Sequence, residues 1–289
     1  MRIAIFGSKH QKKVQVEKLF DILLKNDTEI YLQYKFYNYL KDVLHLDYNI
    51  AGTIKDENFD VDLVVSIGGD GTFLRTASII GKKNIPILGI NAGRLGFLAD
   101  VGEEDLEDTF ADVFSGNYRI EHRSQLQLST EHKDYSGFNY ALNEIAILKQ
   151  DTASMITVHA HINGEYLTSY EADGLVVATP TGSTAYALSV GGPVIEPTAS
   201  NFIIAAVAPH SLSNRPLVVT DDCVLTLEVE SRNESYLISL DGRSNTFATG
   251  TKLIIKKADF SLNVIKRKEN TFYNTLRNKL MWGVDPRQS

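Results

Sequence analysis

Two segments with different hydrophobic periods predict an α/β domain followed by a β-rich domain. In the first, short apolar runs alternate with stretches of helical spacing, the pattern of a parallel sheet covered by helices. In the second, beyond about Ile120, the period falls to two and polar turns separate the runs. A length of 289 residues is long for one core and comfortable for two.

Arg2–Phe6 reads as the opening strand. Val14, Val16, Leu19, Phe20 and Leu23 then recur at helical spacing. Glu29–Leu32 and Val43–Leu46 suggest a second strand and a helix end, with blurred boundaries. Asp62–Ile67 is a β-branched run that ends directly in a Gly-Gly turn, and Phe73–Ile80 continues as a helix. Ile85–Ile90 is a further strand, and Glu103–Phe114 a helix with an acidic start. In the second segment Ile156–Ile162, Asn163-Gly164 and Glu165–Tyr170 spell a hairpin, because Asn-Gly suits the turn that matches strand twist. Leu175–Ala178, Cys223–Glu230, Ser235–Leu240 and Lys252–Lys257 read as further strands. Domain limits are expected at 1–120, 121–265 and 266–289.

Hydrophobic residues make up 43% of the chain and charged ones 22%, the ordinary globular range. A net charge of −7 argues against a broad nucleic-acid or anionic-membrane surface, while leaving room for a locally positive cleft. The longest apolar stretch, Phe202–Ala208, is far short of the roughly 20 residues a spanning helix needs. The single cysteine, Cys223, excludes an intrachain disulfide and reads as a buried strand residue. The N-terminus lacks a leader-type apolar region, so the expected location is cytoplasmic.

Two blocks carry chemistry. Gly68-Gly69-Asp70-Gly71-Thr72 ends a strand and opens a helix, which suits a phosphate: glycines admit the anion to backbone N–H groups, and the helix dipole favours it. Asp70 beside such a cradle is a candidate general base or metal ligand. The same turn can also be a plain helix start capped by Asp70 or Thr72. The second block runs from Asp173 to Pro193 and packs Thr181-Gly-Ser-Thr-Ala-Tyr186 and Gly191-Gly-Pro193 after an apolar strand. Its small residues permit close backbone approach, its hydroxyls bind polar groups, and Tyr186 offers an aromatic face.

Together these blocks resemble the NAD kinase family, the enzymes that phosphorylate the adenosine 2′-hydroxyl of NAD. The resemblance covers essentially the whole chain. It includes Gly68–Thr72 with Arg75, Asn91–Leu98, Leu142-Asn-Glu144, Asp173–Pro193, Pro209–Pro216 and Phe272–Leu280. Gly-Gly-Asp-Gly-Thr is shared with diacylglycerol and sphingosine kinases, whereas the Thr-Pro-Thr-Gly-Ser-Thr-Ala-Tyr block is more specific.

The resemblance implies an α/β N-domain, a β-sandwich-like C-domain and a C-terminal tail that returns to the N-domain. It implies a homodimer or homotetramer with its active site between domains. Asp70 would be the catalytic base, with Gly68, Gly69, Gly71 and Thr72 around the ATP phosphates. Gly71, Arg75, Phe97, Asn143, Glu144, Ser154, Glu171, Asp173, Thr184, Ala185, Tyr186, Ser189 and Arg243 would bind NAD, with His210 near the site. ATP would be the phosphoryl donor, carried with Mg²⁺ or another divalent cation that neutralises its charge. The partners would be NAD and ATP, with no nucleic acid and no membrane.

Asn143 and Glu144 are adjacent, so both can face one ligand only at a strand end or bulge. Glu171 and Arg243 depart from the family pattern, and their opposite charges suggest a compensating pair at the pocket rim. His159 and His161 share a strand face without an evident third metal ligand. Met281 and Trp282 are expected to anchor the tail by packing, and Lys252–Lys268 to be the solvated face of edge strands.

Overall fold

A computed structural model describes residues 1–9, 11–93, 96–131, 135, 137–151 and 154–283. Contacts divide the chain into two compact units: Met1–His122 with Leu262–Ser289, and Arg123–Ser261. The tail therefore belongs to the first unit.

The first unit contains β1 (Arg2–Gly7), α1 (Lys13–Lys25), β2 (Glu29–Gln33), α2 (Tyr34–Asp42), β3 (Gly52–Ile54), β4 (Leu63–Gly68), α3 (Asp70–Ile80), β5 (Ile87–Asn91) and α4 (Leu106–Ser115). Its strands pair in parallel in the order β5-β4-β1-β2-β3. Leu63, Val65 and Ile67 face a cluster that includes Leu19 and Phe20 of α1 and Leu106 and Phe110 of α4. Ser66 points the other way, where Thr76 of α3 bonds it at 3.3 Å. The chain thus switches faces between β1 and β4, and a doubly wound sheet opens its ligand crevice at the carboxyl ends of such strands.

The second unit takes up the chain within β6 (Tyr118–Thr130) and continues through β7 (Tyr140–Ala141), β8 (Glu144–Lys149), β9 (Ile156–Ile162), β10 (Glu165–Ala172) and β11 (Gly174–Ala178). A 3₁₀ turn at Thr181–Thr184 and the short α5 (Tyr186–Ser189) follow, then β12 (Asn201–Val207), β13 (Leu217–Thr220), β14 (Leu225–Glu230), β15 (Ser235–Leu240), β16 (Arg243–Ala248) and β17 (Leu253–Arg267). An antiparallel sheet of order β13-β12-β11-β8-β15-β16 shares one apolar core with β9, β14 and the start of β17. Small residues on its other face, Ala146, Val176, Ala178, Ile203 and Ala205, pack against Ala187 of α5. Every residue of β11 is consequently buried, which explains its unbroken apolar run. The last helix, α6 (Phe272–Leu280), returns with the tail, capped by Thr271, whose hydroxyl accepts from the Asn274 N–H.

The Asn163-Gly164 hairpin forms as its sequence predicts, both turn residues at positive φ. Three expectations change. The Lys-rich segment is no edge, for β17 is paired along both sides and Lys266, 5% exposed, bonds Asp100 at 2.6 Å. Met281 and Trp282 are more than half exposed and anchor nothing by burial. Cys223 is buried as expected but precedes its strand rather than joining it. Among the described residues no helix is long and apolar enough to cross a membrane.

Candidate active site

In the first unit the sheet delivers the glycine turn to its carboxyl edge. β4 is wholly buried up to Gly68, and α3 begins two residues later at Asp70. A β-carbon on Gly69 or Gly71 would meet no described atom within 4 Å. Arg75, one turn into α3, reaches back to the Thr72 hydroxyl at 3.3 Å.

Asp70 does not cap its own helix through its side chain. Its Oδ1 instead accepts the Leu98 and Ala99 N–H groups, both at 3.1 Å, and its Oδ2 accepts the Phe97 N–H at 3.0 Å. Gly96 lies so close to Oδ1 that a β-carbon there would collide with it. A carboxylate offers about four acceptor directions, so one remains, on Oδ2. Lys279 of α6 lies near it without a hydrogen bond, 3.6 Å from Oδ2 and 4.7 Å above the Phe97 ring, so that direction stays open. Sequence reading missed Lys279, whose Phe272–Leu280 context was seen but whose partner lies at the other end of the unit. Arg94 and Leu95 of the Asn91–Leu98 block are outside the described residues.

The second unit builds its constellation where β8 starts. Glu144 is the first residue of that strand and Asn143 lies just before it, the strand end that allows both to address one ligand. Asp241, at the β15–β16 turn, fixes this corner. Its Oδ2 accepts the Leu142 N–H at 2.7 Å, and its Oδ1 accepts those of Asn143 and Glu144 at 2.9 and 3.1 Å. The Thr179 N–H donates to the Asn143 carbonyl at 2.9 Å, and Gly182 sits so tightly on that carbonyl that any side chain would clash. The glycine of the 179–186 block is thereby explained by packing against Asn143.

Two buried acceptors in this corner, Asn143 Oδ1 and Glu144 Oε2, have no hydrogen-bond partner. Orphaned buried oxygens cost free energy unless a ligand or water satisfies them. Burial, then the neighbouring Asp241, pushes the Glu144 carboxyl up to about 7, against a hydrogen bond from the Tyr186 N–H. Burial also raises Tyr186, with Asp173 and Glu144 adding to the effect, which places these three residues together. Asp173 is held by Lys149 at 2.6 Å. Thr184 and Ala185 complete the turn before α5, and Ser189 ends that helix on an exposed position.

Other predicted residues stand apart from this corner. Ser154 and Glu171 line a cavity of about 490 Å³ with Met155, Thr157, Glu230 and Arg232. His210 is exposed and donates its N–H to the Glu171 carbonyl. The expected Glu171–Arg243 pair does not form. Arg243 bonds the Phe138 and Tyr140 carbonyls, lies over the Phe138 ring and faces Asp241, with burial lowering its pKa. His159 pairs with Ser169 and Glu230, and no cluster of three metal-binding side chains occurs among the described residues.

A doubly wound sheet with a glycine turn at its switch point, joined in one chain to a β-sandwich with a strand-end polar corner, is also found in solved structures. The chain superposes on the yeast NADH kinase complexed with NADH with a TM-score of 0.88 at 23% identity, over 100% of this chain and 90% of that one, a likeness of fold. It matches an NAD kinase from Archaeoglobus fulgidus in complex with ATP with a TM-score of 0.77 at 28% identity, over 97% and 98% of the two chains. Residues 7–118 match the ATP-NAD kinase N-terminal domain and residues 142–267 the C-terminal domain. NAD kinases of Bacteroides fragilis and Porphyromonas gingivalis are 50% and 47% identical to it, over 99% and 98% of this chain and 100% and 98% of theirs. The chain belongs to the NAD kinase family.

Proposed function

We propose that this enzyme transfers the γ-phosphoryl group of ATP to the adenosine 2′-hydroxyl of NAD, giving NADP, with Asp70 as general base. The pair of orphaned acceptors, Asn143 Oδ1 and Glu144 Oε2, carries the NAD half of this reading. Acceptors buried beside an aromatic ring suit a ligand rich in hydroxyl and amine donors. Tyr186 supplies the ring, and Asp173 closes the corner. Thr184, Ala185 and Ser189 line the same turn. Ser154, Glu171 and Arg243 are assigned to NAD more weakly, since the first two line a separate cavity and the third is engaged with backbone carbonyls.

A ribose hydroxyl is a poor nucleophile, and a carboxylate within hydrogen-bond reach takes its proton as the bond to phosphorus develops. Asp70 supplies that carboxylate: three backbone N–H groups fix its orientation and one acceptor direction is left for the hydroxyl. Gly68–Thr72 cradles the donor phosphates, with the N-terminus of α3 and Arg75 facing their charge. The donor would enter as its Mg²⁺ complex, the cation arriving as part of the substrate and supplying charge neutralisation for the phosphates. Lys279, beside Asp70, adds a positive charge where the transferred group carries negative charge.

The test is NADP formation from NAD, ATP and Mg²⁺ by wild type and Asp70→Asn, beside calorimetric NAD binding by both. Turnover that the substitution abolishes while binding survives supports the reading. Near-normal turnover in the variant removes Asp70 from the mechanism, and an inactive wild type that still binds NAD leaves a nucleotide-binding protein without the transferase.

A further inference from the structure

Asp70 takes its orientation from the N–H groups of residues 97–99, so whatever holds that segment also aims the carboxylate. The segment doubles back over β5. Its Gly96 N–H donates to the Ala99 carbonyl at 3.0 Å, which also accepts the Asn91 side-chain amide at 3.3 Å. Val101 then pairs in parallel with Ile90, giving its N–H to the Gly89 carbonyl at 3.2 Å and accepting that of Asn91 at 2.8 Å. Gly89 permits this closeness, because a β-carbon there would stand 2.7 Å from the Leu98 carbonyl oxygen and 2.9 Å from Ala99 Cα.

β5 is one wall of this seat, and β17 brings the other from the far end of the chain. The two strands run parallel, with Val264 opposite Ile87. Two residues on, Lys266 extends Nζ to Asp100 Oδ2 at 2.6 Å, and Asp100 directly follows Ala99. Their side chains are only 5% and 8% exposed. Withdrawing both charges from water cancels much of their attraction, and an apolar pair of similar volume often serves stability as well or better. What the ion pair adds is direction, because a short N–H···O bond sets distance and angle where an apolar contact sets neither. That matters behind a catalytic group, since a misplacement of about 1 Å can cost about a hundredfold in rate.

We infer that Lys266 and Asp100 are positioning residues for the phosphoryl transfer: the pair ties residues 97–99 to β17, and those residues aim Asp70 at the 2′-hydroxyl. Both act through Asp70 and not on the substrates. The inference rests on Asp70 as general base and extends that reading to the charges that keep the base in line. Lys279 and Lys266 thus have separate tasks, the first beside the carboxylate and the second behind the backbone that holds it.

The measurement is kcat and KM for NAD and ATP in wild type, Lys266→Met, Lys266→Arg and the apolar pair Lys266→Met with Asp100→Leu, with a thermal melt of each. Both Lys266 variants are also made in the Asp70→Asn background. Lys266→Met is expected to lower kcat about tenfold to a hundredfold with both KM values unchanged, and Lys266→Arg to lose less. The apolar pair should regain the melting temperature but not the kcat, which separates aim from stability. In the Asp70→Asn background neither Lys266 substitution should lower the residual rate further, since the group they aim is gone. Full kcat in the apolar pair, or the same fold loss in both backgrounds, overturns the inference. Where Lys266→Met does not fold, Lys266→Arg carries the comparison of backgrounds. Near-normal turnover of Asp70→Asn itself overturns the general-base reading, and the positioning role falls with it.

Discussion

Asp70 and Asp241 are bound in the same way in two different units and are suited to different tasks. In each, one oxygen accepts two consecutive backbone N–H groups and the other accepts the N–H just before them. Asp70 is nearly a third exposed in its side chain and faces Lys279. Asp241 is half-buried, and the enclosure of its carboxylate drives its pKa up against the three N–H bonds and Arg243. The same anchoring thus yields a carboxylate open to solvent in one unit, the general base we propose, and a bracket that fixes the Asn143–Glu144 corner in the other. The proposed base and the bracket differ in how far the carboxylate is enclosed, not in the bonds that hold it.

The largest effect should come from the exposed member. Asp70→Asn is expected to lower kcat by about 10²–10⁴-fold, the usual worth of a general base, with NAD affinity little changed. Because the Asn amide would set a donor against the Phe97 N–H, a thermal melt must accompany the kinetics. A kcat loss smaller than tenfold would mean that the two carboxylates are both brackets.

Asp241→Ala removes the acceptor for three buried N–H groups, and the expected cost is about 3 kcal/mol or more of folding stability, read by denaturant titration. NAD binding should fall with it, since Asn143 and Glu144 lose their alignment. Stability lost without any change in NAD affinity would break the link between the bracket and the corner.

Glu144 gives the comparison a pH dependence. Its carboxyl rises from an ordinary 4.5 to about 7 in the fold, so the folded state holds the proton more tightly than the unfolded chain. The stability associated with the neutral form is full below about pH 4.5 and is lost as pH climbs toward 7, by about 3 kcal/mol at most. Glu144→Gln should therefore melt higher than wild type at pH 8 and similarly at pH 4.5. Equal differences at both pH values would show that folding leaves the Glu144 pKa unshifted.

Lys279→Met should give the smallest change, a fall of about tenfold in kcat with the KM for NAD intact, and Lys279→Arg should recover part of it. A kcat unchanged in the Met variant would confine Lys279 to surface pairing with Asp70.

Much of the fold was legible because its signals are local. The Asn163-Gly164 turn declares its hairpin through the backbone preference of two residues. The buried run before Gly68 declares both strand and turn, and Asp70 and the 179–186 block announce themselves by composition. Other features needed the third dimension. β6 lacks a clean alternation in burial, and β16 alternates in burial through mostly polar residues, because the burial of both depends on partners that the chain meets only on folding. Lys252–Lys268 looked like a solvated edge, yet the same alternation lies within a paired strand and sends Lys266 inward to Asp100.

The sequence by itself determined the α/β-then-β order and the glycine turn with Asp70 between strand and helix, since each follows from neighbouring residues and their backbone preferences; for Asn143 and Glu144 it left a strand end or a bulge, and the structure has the strand end. Only the tertiary structure decided that Asp70 is oriented by residues 97–99, that Asp241 brackets residues 142–144, that Lys279 faces Asp70, and that Arg243 turns to backbone carbonyls instead of Glu171. The partners of Asp70 and Asp241 lie 28 and 98 residues away along the chain, and a hydrogen bond depends on distance in space, which a one-dimensional pattern does not carry.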